Sequence, residues 1–281
     1  MPAQARTRAM ITLLRRLAPA RRRAKLPRQL PPRPIEFAYY KAIRSIVVEP
    51  IIKILDEIRG PMLRRMEARA PEPRADGPGF DDPFTPAARR AAQRLADLWK
   101  PAQLEAAARK FAERADDWNK KELGKQVSAA MGVKLQDIER PTVDRIPSFV
   151  RENVALIKTV PERALDRVNK LAQEAYATGM RPETMAERLQ EIGDISENDA
   201  MRIARDQIGK LNAQVNQDRQ QALGADSYVW RTVNDNRVRD EHSEREGQVF
   251  RWDDPPEDGH PGEPIQCRCW AEPVFDFLSE E

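Results

Sequence analysis

Residues 232–273, TVNDNRVRDEHSEREGQVFRWDDPPEDGHPGEPIQCRCWAEP, decide how the chain is read. Both of its histidines and both of its cysteines fall there: His242, His260, Cys267 and Cys269. Imidazole nitrogen and thiolate sulfur are the donors that zinc prefers, and a structural zinc takes four of them in a tetrahedron. The inventory therefore fits a His2Cys2 site. The Cys267-Arg268-Cys269 spacing leaves one residue between the sulfurs, where the common knuckle leaves two or more. Two other readings thus stand beside zinc: reduced, buried cysteines with satisfied loop histidines, and a catalytic use of His242. A disulfide between the two is disfavoured, because a bridge across one extended residue is strained.

Around these donors the stretch reads as a small β-containing unit. SYVWRTV (227–233) is dense in aromatic and β-branched residues and predicts a strand. Asp235-Asn236 is turn chemistry, QVFRW (248–252) alternates again, and Asp253-Asp254-Pro255-Pro256 breaks it. Pro261-Gly262 makes a further turn, and 267–274 closes the unit. So short a piece has too little core to stand alone and must lean on the helices before it, or on a metal.

The ordered segments GADSYVWRTVNDNRVRDEH, GQVFRWDDPP and PGEPIQCRCWAEPV resemble the phage Mu F-like head morphogenesis family, the minor head proteins of tailed phages. The helical run from Phe149 onward shares the likeness, so it covers roughly the C-terminal half. The motif residues carry over as Asp235, Arg237, Arg239, His242, Gly247, Pro261, Gly262, Cys267 and Cys269. The resemblance implies a virion protein of the head interior near the portal, present in few copies, with roles in procapsid assembly and DNA delivery. It implies partners among the portal, scaffold and other head proteins, and no small-molecule substrate.

Working outward, residues 1–34 contain no Asp or Glu. Arg15, Arg16, Arg21, Arg22, Arg23, Lys25 and Arg28 make this a basic arm, with Pro27, Pro31, Pro32 and Pro34 set against a helix at its end. Such an arm holds packaged DNA through phosphates without reading sequence. A solvated tail, a protein-docking arm and a targeting peptide are the alternatives. Residues 35–69 carry a helix-period apolar stripe (Phe37, Tyr40, Ile43, Val47, Ile51, Ile54, Leu55, Ile58), kinked at Pro50 and stopped at Gly60-Pro61. It is a core helix or a docking helix for another head component.

Residues 70–86 are a Pro/Gly linker, and 87–224 form a helical body interrupted at Pro101. Within that body the punctuation predicts helices 148–158, 161–178, 182–192 and 196–223, with Pro161 and Ser196 opening two of them and Gly179 and Gly224 as stops. Arg202, Arg205, Lys210 and Arg219 read as ordinary helix solvation, with a basic DNA-facing surface as the alternative.

The whole is a mainly α chain, an elongated helical body with a small C-terminal α+β unit at 225–281. The net charge of +3 over 281 residues supplies no bulk field toward nucleic acid. No run approaches the eighteen apolar residues that span a bilayer, and the sparse cysteines suit a reducing compartment. Three functions follow: an assembly protein of the head, a His242-dependent or metal-dependent nuclease or hydrolase, and a nonspecific DNA-binding protein. A four-donor zinc site argues against catalysis, since a catalytic zinc keeps an open position.

Overall fold

The computed structural model describes residues 29, 31–67, 90–91, 93–94, 100–131 and 145–275. The arm residues Arg15, Arg16, Arg21, Arg22, Arg23, Lys25 and Arg28 lie outside these, as does the linker 70–86. Helices α1 (Arg33–Ile43), α2 (Glu49–Glu67), α3 (Pro101–Met131), α4 (Ile146–Thr178) and α5 (Pro182–Ala222) precede a strand–helix–strand–strand unit. That unit comprises β1 (Ser227–Thr232), α6 (Asp240–Glu244), β2 (Val249–Arg251) and β3 (Cys269–Val274). The chain is thus mainly helical with one small antiparallel sheet near its C-terminus. Among the described residues no helix is long and apolar enough to cross a membrane.

The chain divides into two compact units, 37–108 with 151–204 and 1–36 with 109–150 and 205–281. Among its described residues the first consists of helices and the turns that join them. Tyr40, Ile43, Val47, Ile51, Ile54, Leu55 and Ile58 are buried as the stripe predicts, whereas Phe37 is exposed. Pro50 has no N–H to return to the preceding turn, and the five residues before α2, Arg44–Val48, widen into a π-helical turn closed by Glu49 N–H on the Arg44 carbonyl. Tyr40 and Arg44 both donate to the Glu197 carboxylate, Arg44 at 3.0 Å, and the Tyr39 hydroxyl reaches Asn153 at 3.2 Å.

Three predicted breaks are not breaks. Helix α2 runs through Gly60 and Pro61, α4 through Pro161, and α5 through Gly193. In α4 the buried positions Asn153, Ile157, Val160, Ala164, Val168, Leu171 and Ala175 keep one helical face on both sides of Pro161. Continued burial of that face outweighs one lost backbone bond. In α5, Ser196 does not cap; its hydroxyl donates back to the Ile192 carbonyl at 2.8 Å inside the helix. Gly179 and Gly224 do end their helices, with φ of +64° and +81°.

In the second unit β1 is the central strand, in the order β2-β1-β3. Its partners on β3 include Thr232 with Cys269, Trp230 with Ala271 and Tyr228 with Pro273, and these are the buried positions of both strands. The 248–252 segment forms only a three-residue edge strand. Tyr228, Trp230, Trp252, Cys269 and Ala271 make a small core. This core leans on α5 as its size demands. Asn216 and Gln220 both donate to the Ala271 carbonyl, at 3.2 and 2.9 Å, and Gln266 N–H donates to Asp206 at 2.7 Å.

Arg219 corrects the reading of it as solvent-facing charge. It is fully buried between Asp116 at 2.8 Å and the Asn119 amide oxygen at 2.7 Å on α3. Periodicity alone could not separate it from Arg202, Arg205 and Lys210, because its partner carboxylate lies 103 residues away.

Candidate metal centre

The turn after β1 is built by its own side chains. Asp235 accepts the Arg237 N–H at 3.1 Å and so starts an Asx-type turn, and its other oxygen pairs with Arg268. Arg237 is exposed. Arg239 stands at the start of α6 in extended conformation and sends its guanidinium to the Ile265 carbonyl at 2.7 Å. Gly247, at φ +81°, turns the chain into β2 and donates to the Trp230 carbonyl at 2.8 Å.

Helix α6 carries His242 into the interior, where it is 1% exposed. The imidazole is held on both sides. Its Nε2 donates to Asp258 at 2.7 Å, and Asp258 is gripped in turn by Arg245 at 2.5 Å. Burial alone would raise the Asp258 pKa, but the hydrogen bonds from His242 and Arg245 prevail and hold it below the ordinary value. Its Nδ1 faces two sulfurs, Cys269 Sγ at 3.4 Å and Cys267 Sγ at 3.6 Å. Trp230 meets the same ring edge-on at 5.2 Å.

Cys267 and Cys269 are both free thiols. Cys269 opens β3. Cys267 ends the Pro261-Gly262 loop and receives the Gly262 N–H at 3.3 Å. A hydrogen bond from the Cys269 side chain lowers the Cys267 pKa to about 6, and the same bond with burial raises that of Cys269. His242, Cys267 and Cys269 offer donor atoms all within 4.8 Å of one another.

His260 is not among them, which corrects the four-donor expectation. Its Nδ1 takes the Tyr228 hydroxyl at 3.0 Å, its ring has a second hydrogen bond to the Trp252 backbone, and it packs on the Trp252 ring at 4.9 Å. Burial pushes its pKa down, so it is a neutral core imidazole. Pro261 and Gly262 are buried, and Gly262 at φ +97° lies against Ala213 of α5. Sequence reasoning missed Asp258 and Arg245. Nothing in the spacing separated Asp258 from the other carboxylates of the stretch.

Chemically the cluster can hold a soft-to-borderline metal ion, or present a thiol beside a base that a carboxylate orients. No solved structure matches the chain. An uncharacterized protein of Haemophilus influenzae is 32% identical over 205 residues, which is 72% of this chain and 46% of that protein. The chain thus spans less than half the length of that curated relative. Residues 166–272, which include β1, α6, β2 and the three clustered donors, match the family described as Phage Mu protein F like protein, which supports the likeness to the Mu F-like family over that segment.

Proposed function

We propose that this chain is a structural protein of a tailed-phage head, a minor head protein that acts near the portal in procapsid assembly and in DNA packaging or delivery. The observation that carries the reading is the family match over residues 166–272. Its partners are the portal protein and other head or scaffold proteins, with packaged DNA held by the basic arm. The protein works in the host cytoplasm during assembly and in the head interior afterwards. Long helices and a small sheet braced on one of them suit a part that others grip more than one that turns over substrate.

Co-expression with the portal protein of the same phage tests this. The chain should co-purify with the portal ring through size exclusion, and heads assembled without it should lack full DNA content or infectivity. A chain that never associates with portal or procapsid, and whose deletion leaves particle yield and infectivity unchanged, would refute the reading.

A further inference from the structure

Two sulfurs and one imidazole lone pair point at a common spot between α6, the Pro261-Gly262 loop and β3. A hydrogen-bond account leaves this convergence unexplained, because the single Nδ1 lone pair accepts one S–H well and has two sulfurs before it. A tetrahedral ion accounts for both. With Zn–S of ~2.3 Å and Zn–N of ~2.0 Å, the N···S edge of the tetrahedron is about 3.5 Å. The edges here are 3.4 and 3.6 Å.

The surroundings have the form that a ligating histidine needs. Asp258 takes the Nε2 proton at 2.7 Å, which fixes the tautomer with Nδ1 bare, and Arg245 fixes Asp258. The Gly262 N–H on Cys267 Sγ supports a thiolate. The three donors come from three separate segments with little core between them, so an ion would fasten what packing alone holds weakly.

We propose that His242 Nδ1, Cys267 Sγ and Cys269 Sγ bind one zinc ion, with Asp258 orienting the imidazole and a solvent molecule in the fourth position. The competing chemistry is a thiol nucleophile, Cys267 with His242 as base and Asp258 as its orienter. Burial of His242 and the second sulfur on the same nitrogen favour the metal. The zinc assignment is independent of the head-protein reading.

The test uses the full chain. Elemental analysis after purification without added metal should find about one zinc per chain, and cobalt(II) substitution should give a tetrahedral spectrum with a thiolate-to-cobalt charge-transfer band. Cys267→Ser, Cys269→Ser and His242→Ala should each abolish that band, and His260→Ala should keep it. In the unmutated chain, a chelator should expose both thiols to a thiol reagent, and restored zinc should protect both. No bound metal and no cobalt band in the unmutated chain would overturn the proposal. So would one fast-reacting thiol that zinc does not protect, the signature of the nucleophile, or a band that survives His242→Ala and is lost in His260→Ala.

Discussion

Gly262 lies so close to Ala213 of α5 that a Cβ on the glycine would stand 2.4 Å from the Cβ of the alanine. The close approach seats the donor loop on the helix, and only a glycine permits it. Gly262→Ala should therefore cost a left-handed backbone penalty of about 1–2 kcal/mol and an overpacking penalty of about 1–3 kcal/mol. Gly179 has φ of +64° but nothing within 4 Å, so Gly179→Ala should cost the backbone penalty alone. Urea unfolding of both variants checks the difference. Adding Ala213→Gly to Gly262→Ala should recover the overpacking part; no recovery would mean that this close approach is not what holds the loop.

Arg219 is fully buried against Asp116 and Asn119. Removing the guanidinium breaks a buried ion pair, so Arg219→Ala should lose about 3–5 kcal/mol. Replacing both charges, as Arg219→Met with Asp116→Leu, should recover much of that loss. Equal stability of Arg219→Ala and the parent would show the pair to be solvated in solution.

Asp258 is predicted to act on the metal through His242. Asp258→Asn should weaken zinc binding by ~10–100-fold, measured in competition with a chromophoric chelator, while the cobalt spectrum keeps its tetrahedral form. Unchanged affinity would remove Asp258 from the site.

Acid should act on the helical unit through Glu197. Hydrogen bonds from Tyr40 and Arg44 hold its carboxyl below the ordinary value. A depressed folded pKa contributes stability that is complete above the unfolded value, about 4.3, and is lost as pH falls through the folded one. Glu197→Gln should therefore be less stable than the parent at pH 7, and the gap should narrow as pH drops below about 4. A gap constant from pH 7 to acid would mean that the charge on Glu197 contributes nothing.

For the arm, the relevant deletion ends at Arg28, because Gln29 is buried and donates to Asn216 at 3.4 Å and α1 begins at Arg33. Removing residues 1–28 should abolish salt-sensitive DNA binding. Deleting only part of the arm should flatten the log–log salt dependence by about 0.9 for every phosphate the shortened arm no longer neutralises. Unchanged affinity would refute the DNA role.

Much of the C-terminal unit was legible because its signals are local. Alternating aromatic and β-branched residues mark β1, Gly179 and Gly224 mark helix ends, and the motif from Asp235 to Cys269 carries the family likeness within one stretch. Punctuation misled in the helices. Pro161 and Gly193 are breakers by local propensity, but long buried faces on either side of each outvote them.

By itself the sequence determined the helical class, the position of the sheet, the family of residues 166–272 and the pool of donors from which a metal site could be drawn. Only the tertiary structure decided which donors meet. His260 is chemically as fit a ligand as His242, yet one imidazole is turned to Tyr228 and the other to two sulfurs, and Asp258 is singled out from many carboxylates. Those choices depend on how a strand, a short helix and a loop cross in space, and no one-dimensional spacing encodes that crossing.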